Sequence, residues 1–445
     1  MTEWFARWAW LGTGDAVERD VVIAVDGDRI ASVTTGVQSA PAGARRLDGL
    51  VIPGLANAHS HCFHRALRGR TNSGGGTFWT WRDAMYAVAA RLDPETYYAL
   101  ARATYAEMAL AGITSVGEFH YLHHAAGGDR YNNPNAMSGA LVAAATDAGI
   151  RMTLLDTCYL AGGFDAPVND VQRRFSDGDA DHWAERVSAM VPSKEIRIGA
   201  AIHSVRAVPA DQMRVVAAYA DHHGAPLHVH VSEQHDEDVA CLEAHGCTPT
   251  QLLADVGALG RRTTAVHATH CTPGDIALLQ SAGTTICMCP TTERDLGDGI
   301  GPARAAADAG VNISLGSDGH SVIDLFEEAR EMELHERLRT EKRGHWTPTA
   351  LLGAATSSGH ASIGWEDAGI LGAGMLADFI GVDVDTPRMA GVDTEHLLET
   401  LVFAAIAGDV RDVVIGGRAI VSGGNHHSIT DVPEALGRAI AAVTP

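Results

Sequence analysis

The sequence lacks the marks of secreted and membrane proteins. No apolar stretch in its 445 residues approaches the roughly 18 residues that a membrane helix needs. The N-terminal segment MTEWFARWAWLGTGD has no basic start, no clean apolar run and no small-residue cleavage site, so no signal peptide is predicted. The seven cysteines include no CxxC pair, and a disulfide framework is not expected in so long a chain. We therefore expect a cytoplasmic protein.

Positive charge is scarce as well. The 33 lysines and arginines are outnumbered by 55 acidic residues, which leaves a formal net charge of −22. This charge repels nucleic acids and anionic membranes, so neither is expected as a partner. An anionic substrate would have to be met by arginines placed close to it. The abundant polar residue is histidine, with 23 copies, and only the position of each copy can decide its role.

From residue 50 to about 320, short β-rich runs alternate with helical stretches. Several of the runs are apolar throughout, as expected for strands that are covered on both faces. The eight candidate strands are 51–55, 113–121, 152–160, 195–205, 226–232, 263–269, 284–289 and 312–318. A helix is predicted between Asp93-Pro94 and Gly112, because these residue types are favoured at helix ends. The same pattern of capping residues recurs after Pro209 and Pro273. Eight such units predict an α/β fold with a (β/α)8 TIM-like barrel.

The two ends of the chain have a different pattern. Residues 1–50 contain short strands with a hairpin turn at 26–28, and residues 378–422 continue in the same style. Neither end could bury a core alone, so we expect them to pair into one small β-sandwich domain. The expected domains are 1–50 with 376–445, including a C-terminal helix, and the barrel at 51–375.

Polar residues lie at the carboxyl ends of the predicted barrel strands. Barrel enzymes place their active sites at this end, so these residues would converge although they are distant in sequence. They are His59 and His61 after the first strand, His203 at the fourth, His230 and Glu233 at the fifth, His267 at the sixth and Asp318 at the eighth. Each has an ordinary structural explanation by itself, but their coincidence at one end favours a metal site.

Three histidines and one aspartate, with room for water, suit one Zn²⁺, and Fe²⁺ or Mn²⁺ would accept the same ligands. A metal with an open coordination position lowers the pKa of bound water toward about 7. Glu233 lies just past the end of its strand and can carry a proton without binding the metal. His267 can orient the water or stabilise developing charge.

The motifs PGLANAHSH, HVHVSEQ, VHATH and LGSD resemble the amidohydrolase superfamily, and specifically its deaminase branch with one metal. This resemblance implies roles for six residues. His59, His61, His230 and Asp318 would be the metal ligands, with Glu233, His267 and also Asp318 as the catalytic residues.

A closer similarity is to the formimidoylglutamate deiminases of histidine degradation. It is carried by NAHSHCFHRA, FWTWR, EFHYLHH, IHSVRAV, HVHVSEQ, VHATH, TTERDLGDGI and LGSDGH, which cover nearly the whole barrel. It implies hydrolysis of N-formimino-L-glutamate to N-formyl-L-glutamate and ammonia, in a homodimer. The implied substrate-binding residues are His64, Arg82, Tyr121, His203 and Arg206. Arg82, Arg206 and Tyr121 supply donors that suit a substrate with two carboxylates.

Two positions depart from the pattern of that family. His64 stands where glutamine is frequent, and Arg294-Asp295 replaces small or amide residues. An alternative hypothesis is another mononuclear-zinc deaminase that acts on a purine, a pterin or a nucleoside, which would need apolar and amide contacts instead of two arginines. A third hypothesis is an inactive barrel that serves as a scaffold. Such a barrel would have lost ligands, whereas all of them are present here.

Overall fold

The computed structural model describes residues 1–71, 76 and 78–444, without the side chains of residues 78 and 79. Two eight-stranded sheets organise this part of the chain. In chain order the strands are β1 (Thr2–Trp10), β2 (Val17–Asp26), β3 (Arg29–Thr34), β4 (Arg45–Pro53), β5 (Leu55–Ser60), β6 (Ile113–His120), β7 (Arg151–Cys158), β8 (Ile196–Ser204), β9 (Leu227–Val231), β10 (Thr263–His267), β11 (Thr285–Met288), β12 (Ile313–Leu315), β13 (Phe379–Val382), β14 (Val410–Ile415), β15 (Arg418–Ser422) and β16 (Asn425–His426).

Helices occupy most of the connections between the strands. In chain order they are α1 (Phe78–Ala89), α2 (Pro94–Leu110), α3 (Ala136–Ala148), α4 (Ala180–Ser188), α5 (Ala210–His223), α6 (His235–His245), α7 (Pro249–Asp255), α8 (Pro273–Ala282), α9 (Pro290–Leu296), α10 (Ala303–Asp308), α11 (Leu325–Thr340), α12 (Pro348–Ala355), α13 (Ser357–Ser362), α14 (Leu397–Ala404) and α15 (Val432–Val443). In the described part of the chain, none of them combines the length and apolarity needed to cross a membrane.

The predicted (β/α)8 barrel is confirmed. Strands β5 to β12 pair in sequence order, and all neighbours are parallel. The two edges meet where the segment after β12 reaches β5. There the Asp318 backbone N–H donates to the His59 carbonyl at 3.0 Å, and the His61 N–H donates to the Asp318 carbonyl at 3.3 Å. The barrel is therefore closed at its carboxyl end by the residues that were predicted to bind metal.

The prediction for the first barrel strand is wrong. Residues 51–53 end β4, which pairs with β1 and β13 in the other sheet, and the barrel begins at Leu55. Periodicity could not reveal this change because the apolar run continues through both strands. Pro53-Gly54 marks the crossing, and a Cβ on Gly54 would lie within 2.8 Å of the Thr114 side chain. Only glycine leaves room for the chain to pass there.

The second sheet combines both ends of the chain, as predicted. Its strand order is β16-β15-β14-β13-β4-β1-β2-β3, and it forms one continuous hydrogen-bonded sheet with an apolar cluster of its own. The hairpin between β2 and β3 turns at Gly27-Asp28. The C-terminal helix α15 instead packs against barrel helix α2. We therefore propose a small domain that ends at residue 53 and resumes near 377, with α15 assigned to the barrel.

The helix ends follow the predicted capping residues. Asp93 accepts a hydrogen bond from the Thr96 N–H at 2.8 Å, and Pro94 opens α2. Gly224 and Gly283 end α5 and α8 with left-handed φ angles of 61° and 72°. All seven cysteines are free, as expected.

Candidate metal centre and active site

Four side chains converge inside the carboxyl end of the barrel. The Nε2 atom of His230 lies 3.0 Å from Nε2 of His59 and 3.3 Å from Nε2 of His61. Asp318 Oδ1 lies 3.4 Å from His59 Nε2 and 3.2 Å from His61 Nε2. All four side chains are buried. In a tetrahedral site with ligand distances of about 2.0–2.1 Å, neighbouring ligand atoms are about 3.3 Å apart. The cluster therefore has the spacing that a small divalent cation requires.

Backbone carbonyls fix the orientation of two of the imidazole rings. The Nδ1–H of His61 donates to the Phe119 carbonyl at 2.9 Å, and the Nδ1–H of His230 donates to the His203 carbonyl at 2.8 Å. Because a carbonyl can only accept, each neutral ring carries its proton on Nδ1 and directs an unprotonated Nε2 into the cluster. This is the tautomer that binds a metal.

The backbone that carries these residues is itself unusual. Asp318 has a φ of 39° and His267 a φ of 68°, and both are non-glycine residues in the left-handed region. Such conformations persist only where the surrounding structure enforces them, and they are common at functional sites. Gly316 permits the close approach of this segment to β5, because a Cβ there would lie 2.7–2.9 Å from atoms of His59.

A series of buried hydrogen bonds links residues adjacent to the candidate metal ligands. Asn57 Nδ2 donates to Ser317 Oγ at 2.7 Å, and Ser317 Oγ is 2.9 Å from His320 Nδ1. His320 Nε2 is 3.1 Å from Ser60 Oγ, which donates to Glu118 Oε2 at 2.7 Å. Burial, followed by the charge of nearby Arg68, holds the pKa of His320 well below its ordinary value. The donors in this series of hydrogen bonds therefore all point the same way, from Asn57 through the neutral His320 imidazole to the Glu118 carboxylate.

His267 lies between three carboxylates. Its Nε2 is 3.9 Å from both Glu233 Oε1 and Asp318 Oδ2, and its Nδ1 is 3.4 Å from Glu293 Oε1. Burial would lower the pKa of His267, but these three carboxylates together raise it well above its ordinary value. Burial, together with the charge of Asp318, raises the pKa of Glu233. The His267 imidazole therefore has carboxylate neighbours at both of its ring nitrogens.

The cluster of candidate metal ligands opens into a cavity that reaches the surface. Of the eleven residues that the sequence predicted for the site, ten line this cavity, and His59 lies immediately behind His61 and His230. Five aromatic side chains complete the wall: Trp81, Tyr86, Tyr121, Tyr159 and Phe175. The wall of the cavity therefore combines aromatic rings with charged and polar side chains.

The predicted substrate-binding residues line the same cavity as the catalytic pair. His64 Nε2 lies 3.1 Å from the Tyr121 hydroxyl, and both side chains are buried. Burial, and then the neighbouring Arg206, holds the pKa of His203 well below its ordinary value. Arg206 Nε donates to Glu237 Oε2 at 2.8 Å. The Arg82 guanidinium lies 5.6 Å from the centre of the Tyr86 ring.

Residues 50–420 match the Amidohydrolase family. This match covers most of the sequence.

The chain belongs to the amidohydrolase family.

Individual amidohydrolases resemble it over most of their length. The formimidoylglutamate deiminase of Pseudomonas aeruginosa is 37% identical over 397 residues, which are 86% of this chain and 87% of that protein. The 5-methylthioadenosine/S-adenosylhomocysteine deaminase of Halobacterium salinarum is 30% identical over 407 residues, 88% of this chain and 87% of that one. The crystal structure of an amidohydrolase from Brucella melitensis superposes over the whole of both chains with a TM-score of 0.91 and 33% identity. The resemblances expected from the motifs are confirmed, and the protein is an enzyme of the metal-dependent aminohydrolase kind.

Two acidic residues of this amidohydrolase site were not predicted from the sequence. Glu293, in α9, accepts a hydrogen bond from the Cys289 N–H at 2.9 Å and faces His267. Asp298 accepts from the Gln234 side-chain amide. Burial, and then the nearby Glu233 carboxylate, raises the pKa of Asp298 to about 9. Both lie in the motif TTERDLGDGI, whose acidic residues next to a predicted strand end were the available signal.

The departure at Arg294 does not affect the cavity of the amidohydrolase. Arg294 is on the outer side of α9, where its guanidinium contacts Glu327 at 2.7 Å and Glu331 at 2.8 Å. Both acidic residues belong to α11. Arg294 therefore joins two helices on the outside of the barrel.

Proposed function

We propose that the protein hydrolyses N-formimino-L-glutamate to N-formyl-L-glutamate and ammonia, a step of histidine degradation. One observation carries this proposal: Arg82 and Arg206 line the same cavity as the metal cluster. The substrate has two carboxylates, and guanidinium groups bind carboxylates with two parallel hydrogen bonds. In a chain with a net charge of −22, two arginines on the cavity wall supply the local positive charge that a dicarboxylate needs.

We assign one zinc ion to His59, His61, His230 and Asp318, and iron or manganese would accept the same donors. Three imidazole nitrogens and one carboxylate at tetrahedral spacing suit zinc. When bound, the ion supplies Lewis acidity and lowers the pKa of a coordinated water toward about 7.

Side chains of the protein carry out the proton transfers. Water adds to the formimino carbon, and its proton passes to Asp318, whose Oδ2 faces His267. Glu233 donates a proton to the imino nitrogen, which becomes an amine. Glu233 then takes the remaining hydroxyl proton as the formyl carbonyl forms, Asp318 passes its proton to the amine, the C–N bond breaks and ammonia leaves. The raised pKa of Glu233, which burial and Asp318 cause, suits it to this role of general acid. His267 stabilises the negative charge that develops on the attacking oxygen.

The remaining residues bind and orient the substrate. We assign Arg82 and Arg206 to the two carboxylates, with Tyr121, His64 and His203 as further donors. His64 and Tyr121 form a buried pair at 3.1 Å. Such a pair can present a hydrogen-bond donor to a carboxylate.

A second candidate function is deamination of a purine-type substrate. It is favoured by the aromatic wall, in which the rings of Tyr159 and Phe175 are 5.3 Å apart, and by the 30% identical deaminase relative. A flat heterocycle could stack on these rings. This candidate predicts no requirement for two arginines.

The decisive experiment measures ammonia release from N-formimino-L-glutamate and from a panel of purines and nucleosides, with zinc-loaded protein. We expect release from the formimino compound only. Arg82→Ala and Arg206→Ala should each lower kcat/KM roughly 10- to 100-fold, the effect of losing a charge-assisted hydrogen bond. Arg294→Ala, on the outer surface, is the matched control. Release from a purine alone would establish the second candidate, and unchanged activity of both arginine variants would refute the first.

The homodimer remains a prediction. Light scattering of the purified protein after size exclusion would test it, since a dimer has twice the mass of the 46.8 kDa chain.

A further inference from the structure

A carboxylate is buried beside one of the two cavity arginines. Glu237 lies in the first turn of α6 and is only 2% exposed. Its Oε2 accepts the Nε–H of Arg206 at 2.8 Å, and its Oε1 faces the Ser232 backbone N–H at 3.3 Å. Burial of a carboxylate is costly unless partners satisfy it. Both oxygens of Glu237 are therefore committed, one to the arginine and one to the backbone at the end of β9.

The contact with Glu237 leaves the two terminal nitrogens of the Arg206 guanidinium available to a ligand. A guanidinium has five N–H donors in one plane, and Glu237 takes the donor at Nε. The two terminal nitrogens are the donors that bind a carboxylate side by side. Burial would lower the pKa of Arg206, but Glu237 raises it and keeps the guanidinium charged.

The Arg206 side chain borders a second cavity that it could enter. Next to the active-site cavity is another one, and Arg82 and Arg206 line both. Gly162, Gly163 and Phe164 form part of the wall of this neighbouring cavity. A long side chain at the border of two cavities has several accessible rotamers, and ordering it costs conformational entropy. A buried anchor at Nε removes that freedom before any ligand binds.

We propose that Glu237 is a positioning residue that holds the Arg206 guanidinium toward the substrate carboxylate and out of the neighbouring cavity. This inference rests on the proposed role of Arg206 in carboxylate binding. Glu237 acts through Arg206 and does not touch the reacting atoms. Its removal therefore affects substrate binding and leaves the chemical step intact.

Glu237→Gln tests the inference. Glutamine replaces one of the two carboxylate oxygens by an –NH2 group, which cannot accept a hydrogen bond from Arg206 or from the Ser232 N–H. We expect KM for N-formimino-L-glutamate to rise about tenfold, with kcat and zinc content within about twofold of the wild type. Glu243→Gln is the matched control, because Glu243 is exposed on the same helix, makes no hydrogen bond with Arg206 in the described structure, and undergoes the same substitution.

A double variant separates positioning from a general stabilising role. If Glu237 acts only through Arg206, then Arg206→Ala/Glu237→Gln should have the same KM as Arg206→Ala. An unchanged KM in Glu237→Gln, or an equal rise in the Glu243 control, would overturn the inference. A further rise of similar size in the Arg206→Ala background would overturn it as well.

A binding assay keeps this test independent of turnover. Glutarate presents two carboxylates without a scissile bond, so its effect on the melting temperature reports carboxylate binding alone. We expect glutarate to stabilise the wild type, to have no effect on Arg206→Ala, and to have a smaller effect on Glu237→Gln. If the wild type does not hydrolyse N-formimino-L-glutamate, the proposed function fails, and this series still decides the role of Glu237. Equal stabilisation of wild type and Glu237→Gln, or none of the wild type, would overturn the inference.

Discussion

The Nε2 atoms of His61 and His230 face each other at 3.3 Å, and in the neutral rings neither carries a proton. Each ring has its proton on Nδ1, where it is donated to a backbone carbonyl. Two nitrogen lone pairs at this distance repel one another unless a cation lies between them. The cluster is therefore built for a positive charge at its centre.

His230→Ala should remove the metal. We expect the zinc content of the purified protein to fall from one per chain to less than about a tenth, and kcat to fall roughly a thousandfold or more. Elemental analysis and an ammonia assay on the same sample provide the measurement. His182→Ala, an exposed histidine on α4, should change neither value. A variant at His230 that retains full zinc would remove this residue from the proposed ligand set.

Glu293→Gln should impair catalysis without affecting metal binding. The Glu293 carboxylate faces Nδ1 of His267, and such partners of a catalytic imidazole fix its orientation and its charge. We expect kcat to fall roughly 10- to 100-fold, with KM and zinc content within about twofold. Steady-state kinetics at fixed pH measure the effect, with Arg294→Ala on the same helix as control. An unchanged kcat would show that His267 needs no such partner.

Ser60→Ala should destabilise the fold. The Ser60 hydroxyl is fully buried and joins Glu118 to His320, so its loss leaves two buried groups short of a partner. We expect the free energy of unfolding to fall by about 1–3 kcal/mol. Urea denaturation of the zinc-loaded protein measures this, and Ser281→Ala on an exposed face provides the comparison. A loss below about 0.5 kcal/mol would argue against a stabilising role for the chain of hydrogen bonds.

Asp298→Asn should stabilise the protein at alkaline pH. Burial, and then Glu233, raises the pKa of Asp298 to about 9 in the folded state. A carboxyl group with a raised pKa contributes stability that is fully present below its unfolded pKa, near 4, and is lost as the pH rises through about 9. Asparagine copies the protonated acid, so its advantage should be at least about 1 kcal/mol at pH 8.

The same comparison at low pH is the control for Asp298. Near pH 4 the wild-type carboxyl group is protonated in the folded protein, so the two proteins should have equal melting temperatures. Thermal unfolding at both pH values, with zinc content verified, gives the result. A variant that is less stable than the wild type at pH 8 would contradict the prediction.

Much of the barrel could be predicted because its signals are local. Apolar runs, capping residues and the polar residues that follow each strand are all neighbours in sequence, so His230 and Asp318 could be placed at strand ends. The crossing at Gly54 could not be placed, because β4 and β5 belong to one apolar run and differ only in their distant partners. Likewise α15 has an ordinary amphipathic pattern that does not reveal which helix it covers.

The supporting residues of the site were less accessible to sequence reasoning. Glu237 and Glu293 lie in the first turns of helices, where acidic residues are favoured for reasons unrelated to function. Their partners, Arg206 and His267, are 31 and 26 residues away. Which residues pair at such a separation in sequence depends on the fold, and a single sequence does not show it.

The closure of the barrel by Ser60 and Asp318 also constrains the order of events during protein synthesis. His59 and His61 leave the ribosome early, but their partner Asp318 is added only after seven further barrel strands. The nascent chain therefore presents an incomplete set of ligands for most of its translation. With the proposed ligand set, we expect tight metal uptake to follow the docking of the last strand against the first, so metal content should indicate that the barrel has closed.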